Sequence, residues 1–198
     1  TPWSKHSTAS GVTTTHVLTA VKNLDNLEIL AEFNYMVASN IGLCMFVDYV
    51  YNTKGGDRKV AACRTAPAGA VRTAVFNAGN DDSAWMLGLA VGSAADLKAF
   101  EGNKMAKGDW SARVWYQDVG VYSVDPNAVD SDFMDSRVNM KGVVVKGQYN
   151  LRDNVFVNLA AGHATRKNSD LGSPATGNDL ALNLKDFNLY QLDLTYKF

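Results

Sequence analysis

The stretch Phe187-Asn188-Leu189-Tyr190-Gln191-Leu192-Asp193-Leu194-Thr195-Tyr196-Lys197-Phe198 changes character at nearly every step. Tyr190, Leu192, Leu194, Tyr196 and Phe198 fall on one parity, and Gln191, Asp193, Thr195 and Lys197 on the other. Successive side chains of a strand point to opposite faces, so this pattern is that of a strand with one apolar and one polar face. About ten residues is also the length that a tilted strand needs to cross the hydrocarbon layer of a bilayer.

The same division recurs upstream. Leu27, Ile29, Ala31, Phe33 and Tyr35 alternate with Glu28, Leu30, Glu32 and Asn34, and a strand with two glutamates on one face cannot bury both faces. Ile41, Leu43, Met45, Val47, Tyr49 and Tyr51 oppose Gly42, Cys44, Phe46, Asp48, Val50 and Asn52. Trp85, Leu87, Leu89 and Val91 oppose Met86, Gly88, Ala90 and Gly92, and Trp110, Ala112, Val114 and Tyr116 oppose Ser111, Arg113, Trp115 and Gln117. Val143, Val145, Gly147 and Tyr149 face away from Val144, Lys146, Gln148 and Asn150, and a looser alternation runs from Val155 to Gly162. A weaker first strand over Val12 to Ala20 rests on Thr and Val propensity alone. The expectation is an all-β chain of about eight strands, an antiparallel transmembrane β-barrel or the C-terminal part of a larger one, in a single domain spanning 1–198.

Connections carry a second signal. Short turns at Ala38-Ser39-Asn40 and Arg152-Asp153-Asn154 alternate with long polar segments at 53–82, 120–137 and 165–186, the short-turn, long-loop asymmetry of outer-membrane barrels. The link at 93–108 departs from it: Ser93-Ala94-Ala95-Asp96 followed by Leu97 and Phe100 reads as a capped short helix. The link at 21–26 is turn-sized where the alternation asks for a long loop, which makes the first strand the weakest element.

Several function classes are disfavoured. Nineteen basic residues are matched by twenty acidic ones for a net charge of −1, whereas a nucleic-acid surface needs concentrated Lys and Arg. No run approaches the roughly 18 apolar residues of a spanning helix. Cys44 and Cys63 form no CxxC and have no histidine at metal spacing; they read as small hydrophobes, with pairing left open. His6, His16 and His163 have no neighbouring nucleophile or carboxylate pair, so no catalytic set and no cofactor or metal motif is found, His163 being the first suspect were there an enzyme.

If the polar faces enclose a lumen, its lining is Glu28, Glu32, Asp48, Arg113, Gln117, Lys146, Gln148, Asn158, Gln191, Asp193 and Lys197. Four acidic and three basic groups give no strong ion preference. The aromatics Tyr35, Tyr49, Tyr51, Trp85, Trp110, Tyr116, Tyr149, Tyr190, Tyr196 and Phe198 share the other parity, mostly near strand ends, as membrane girdles do. Asp118, Asp125, Asp130, Asp132 and Asp135 crowd one loop without the glycine and terminal glutamate of an EF-hand. A solvated acidic loop is the plain reading. A sharper one sets it opposite the basic loop 53–82, with Lys54, Arg58, Lys59, Arg64 and Arg72, as the two poles of a transverse field.

The run Gly108-Asp109-Trp110-Ser111-Ala112-Arg113-Val114-Trp115-Tyr116-Gln117, then Asp130-Ser131-Asp132-Phe133, then Lys141-Gly142 and Gln148-Tyr149-Asn150-Leu151-Arg152-Asp153-Asn154, resembles a bacterial family of "putative porins". The resemblance reaches back to Asp48-Tyr49-Val50-Tyr51-Asn52-Thr53 and covers most of residues 27–198. It implies a larger barrel, with more strands than this chain supplies, around a water-filled pore in the bacterial outer membrane. Phe198 is similar to the C-terminal aromatic that outer-membrane barrels present to their assembly machinery, and an aromatic at the membrane rim also anchors the last strand. The expected partners are outer-membrane lipids, the barrel-assembly machinery, small solutes, and copies of the chain in a homotrimer. Two alternatives stand beside the pore: a closed eight-strand membrane barrel serving as anchor or adhesin, and a soluble lipocalin-like carrier with its apolar face inward.

Overall fold

The computed structural model describes residues 23–65, 69–77, 79–93, 106–129, 133–134, 137–169, 171 and 184–198. Seven strands form one antiparallel sheet in sequence order: β1 (Asn26–Ala38), β2 (Ile41–Asn52), β3 (Ser83–Ser93), β4 (Trp110–Val119), β5 (Met140–Arg152), β6 (Val155–Arg166) and β7 (Asp186–Tyr196). All seven strand-length readings find their strand. The weak strand at 12–20 and most of the helix read at 93–108 lie outside the described residues. Among those residues β1 and β7 are the sheet's two edges, and the sheet is open. No described helix is long and apolar enough to cross a membrane, which says nothing about crossing by strands.

Register keeps the apolar parity in step across the sheet. Ile29 pairs with Tyr49, Tyr49 with Trp85, Leu87 with Tyr116, Tyr116 with Val143, Leu159 with Gly147 and with Leu192. A slip of one residue would move the whole apolar set to the other face. Two bulges adjoin the two-residue turns, one at Val37 before Ser39-Asn40 and one at Leu151 before Asp153-Asn154. Each adds a residue that twists the strand into its hairpin.

The long connections differ from the sequence reading in one respect. The segment 53–82 contains two helices, α1 (Gly55–Thr65) and α2 (Ala70–Asn77), where a polar loop was expected. Asn52 Oδ1 accepts from the Lys54 N–H at the entry to α1, Asp57 and Arg64 lie at its favourable dipole ends, and Val60-Ala61-Ala62-Cys63 supplies its centre. Ala62 and Val75 of these helices are fully buried. They join Tyr122, Val124, Val129, Phe133, Met134 and Val138 of the β4–β5 loop in a core that rests on Trp115, Val119, Val144 and Ala164 of the sheet. The core therefore sits between one sheet face and the folded long loops, at the loop end of the strands.

Candidate functional site

The two faces of the sheet are chemically distinct. On the outer face Tyr35, Val47, Leu87, Val114, Val145, Leu159, Leu192 and Leu194 are all exposed, Leu192 and Leu194 by 72% and 71%. Such an area far exceeds what a soluble monomer leaves uncovered. Aromatics flank the aliphatic band. Tyr49, Trp85 and Tyr116 stand toward the loop end, with the Trp85 and Tyr116 rings 5.3 Å apart, and Trp110 opposite Tyr149, then Tyr196 and Phe198, toward the turn end.

The inner face carries the charged residues in an ordered way. Glu28 and Glu32 stand on β1 and Asp48 on β2, while Arg113 on β4 pairs across to Lys146 on β5. Both cations lie against one ring: the Arg113 guanidinium is 4.7 Å and the Lys146 ammonium 5.8 Å from the Trp115 ring centroid. Gln191 and Asp193 of β7 hydrogen-bond each other at 2.6 Å, and Asp193 pairs with Asn158 of β6. Lys197 follows the last strand residue; its N–H donates to the Asn154 carbonyl and its ammonium lies 5.3 Å from the Phe156 ring.

Two of the polar inner residues differ in setting from an open lining. Gln117 is only 7% exposed: it accepts from Trp115 Nε1 at 3.0 Å and its amide nitrogen lies 3.0 Å from the Met134 sulfur. Gln148, 3% exposed, donates to Asn150 Oδ1 at 2.9 Å. Alternation gives their face but carries no signal for the loop that returns over it. Phe133 shows how far that loop reaches, since a Cβ on Gly162 of β6 would lie 2.7 Å from its ring.

The acidic and basic loops do not stand apart as two poles; where described, they are packed together. Arg58 of α1 donates to the Val124 carbonyl at 3.2 Å, and burial lowers its pKa against the opposing pull of Asp125 and Tyr122. The Tyr122 phenol is buried and pushed upward in pKa by that burial, with Cys63 and Asp81 adding to it. Asp118 belongs to β4, not to a loop, and binds the Lys167 ammonium at 2.5 Å; the same ammonium meets Asp81 at 2.8 Å. Asp81 in turn accepts from the Val121 N–H at 2.8 Å. Lys167 of the third long connection thus binds Asp81 of the first and Asp118 at the end of β4, and Asp81 holds Val121 of the second, a junction that sequence reading missed because its members are far apart in the chain. Asp130, Asp132 and Asp135, and the side chain of Arg72, lie outside the described residues. Cys44 is buried and Cys63 half-buried, and no disulfide joins them. His163 hydrogen-bonds Asn188 across β6 and β7 at 2.9 Å.

No curated protein and no solved structure matches the chain. Residues 4–181 match the family described as "putative porin", a span from the N-terminal segment to just before β7. With nine-tenths of its length so matched, the chain belongs to the putative porin family.

Proposed function

We propose that this chain forms, or completes, a pore of the bacterial outer membrane for the passive diffusion of small hydrophilic solutes and ions, without a catalytic step. The observation that carries the reading is the separation of faces. An aliphatic band flanked by aromatics covers one side, and Glu28, Glu32, Asp48, Arg113, Lys146, Asn158 and Asp193 occupy the other. Lipid satisfies the first face and water the second, the division found in membrane barrels. Outer-membrane lipids are then the partner of the exposed face, and Phe198 the residue offered to the assembly machinery. A soluble carrier with its apolar face inward is disfavoured, because the apolar face is the exposed one.

The test is swelling of vesicles that hold the full-length protein, transferred into isotonic solutions of sugars of increasing size. The pore predicts swelling that slows as the sugar grows. The burial of Gln117 beneath the β4–β5 loop favours the second reading, a closed barrel whose loops fill its interior. That reading predicts no swelling with any sugar.

A further inference from the structure

A cleft of about 400 Å³ opens between the inner face of β2–β4 and the β4–β5 loop, within the range of small-molecule sites. Phe46, Met86 and Trp115 line it from the sheet, and Val124 and Val129 from the loop. Asp48 stands in this apolar wall. One oxygen of its carboxylate is shut off from solvent and has no hydrogen-bond partner among the described residues.

The register places the acid and the apolar wall together. Asp48 pairs with Met86, and Phe46 lies two residues from Asp48 along β2, on the same face. Phe46, Gly88 and Trp115 form the adjoining row, where the glycine leaves room for the Phe46 ring. A body bound beside Asp48 therefore meets Met86 and Phe46 first and Trp115 next. The charge around Asp48 is negative: Glu28 of β1, opposite Val50, is its diagonal neighbour on the inner face. Arg113, also on the cleft, stands two strands away on β4 with its guanidinium seated on the Trp115 ring. A carboxylate that has lost water from one oxygen without gaining a donor is poorly compensated, and an ammonium beside it supplies charge-assisted hydrogen bonds. An inorganic cation would leave the apolar wall uncovered, and a neutral molecule would leave Asp48 uncompensated.

We propose that the cleft binds a primary amine with an aromatic or aliphatic body, its ammonium at Asp48 and its body along Met86, Phe46 and Trp115. Such binding needs the cleft and not conduction, so it goes beyond the pore reading and holds equally for a barrel whose loops fill its interior.

The test is isothermal titration of the full-length protein in detergent, with protein-free micelles as the blank. It compares 2-phenylethylamine with 2-phenylethanol, which lacks the charge, and with methylamine, which lacks the body. The first is expected to bind at least about tenfold more tightly than either, the factor that goes with one charge-assisted hydrogen bond or with burial of a side-chain-sized apolar group. Asp48→Asn, nearly unchanged in shape, should weaken 2-phenylethylamine by about tenfold and leave 2-phenylethanol as it was. Glu28→Gln, at an exposed position, should weaken the amine by about twofold, and it reads the same site should Asp48→Asn fold poorly. Equal affinities for amine and alcohol, or variants that bind the amine as the native protein does, would overturn the site. Vesicle swelling is scored separately: swelling without amine binding overturns the site alone, and amine binding without swelling overturns the pore alone.

Discussion

Asn52 shows what one residue holds together. It is fully buried at the end of β2, where its Oδ1 accepts from the Asp25 and Lys54 N–H groups and its Nδ2 donates to the carbonyls of Asn23 and Tyr122. Asn52→Ala leaves two donors and two acceptors to find other partners, and a loss of about 2–4 kcal/mol is expected. Urea titration of protein folded in lipid vesicles measures it, and an unchanged midpoint would mean that water replaces these bonds without cost. Gly88 is a packing case on the inner face. A Cβ there would overlap the Phe46 ring and lie 2.7 Å from the Trp115 Cβ, so Gly88→Val should destabilise by about 1–3 kcal/mol through overpacking. Gly56 in α1 has open space around it, and Gly56→Ala should stabilise by up to about 1 kcal/mol through helix propensity. The opposite signs, read in the same titration, separate a packing effect from a general intolerance of glycine replacement.

Among elements, the strands were legible and the loop fold was not. A two-residue period marks each strand locally, which is why β7 could be read from Tyr190, Leu192, Leu194 and Tyr196 alone. Alternation by itself does not say which face points outward; on β7 Leu192 and Leu194 are exposed on one parity, and Gln191 and Asp193 hydrogen-bond each other on the other. Leu192→Arg and Leu194→Arg should cost about 2–4 kcal/mol near mid-membrane, whereas Gln191→Arg and Thr195→Arg should be tolerated. Equal losses at both parities, in vesicle urea titrations, would contradict the face assignment. The helices of 53–82 carried no such mark, because Val60-Ala61-Ala62-Cys63 is a short block without amphipathic period, and contacts such as Arg58 to Val124 join residues 66 apart. Lys167 is the junction of these loops. Burial lowers its pKa, but hydrogen bonds and charge attraction from Asp118 and Asp81 outweigh that and leave it above the ordinary 10.5. A raised pKa in a cation means that its contribution is complete below the unfolded value and is lost as pH rises through the folded one. Protease protection of the 53–82 segment should therefore hold through neutral pH and fall only in strong alkali, while Lys167→Met should lose protection already at pH 7. Identical digestion rates for the variant and the native protein at pH 7 would remove the junction from the account.

For the whole molecule, the topology limits how a barrel can be completed. Seven strands in antiparallel order leave β1 and β7 running in the same direction, so closure by antiparallel pairs takes an odd number of further strands and gives the even total usual for bacterial barrels. The candidate lining was legible as a face but not as a surface. Glu28, Asp48, Arg113 and Lys146 could be assigned from alternation, while the burial of Gln117 follows from Met134 of a distant loop, a contact with no local signature. In the pore reading this face borders water that ions cross. Arg113 and Lys146, side by side over Trp115, should then act on permeating ions through a low-dielectric wall. The most direct measurement is the reversal potential of the full-length protein in a planar bilayer under a salt gradient, native against the double variant Arg113→Glu, Lys146→Glu. Discrete channels are expected whose selectivity moves toward cations in the variant, by an amount that shrinks as the Debye length falls from about 10 Å at about 0.1 M to about 3 Å at about 1 M salt. Folded protein that opens no channels, or channels whose selectivity ignores both substitutions, would contradict it.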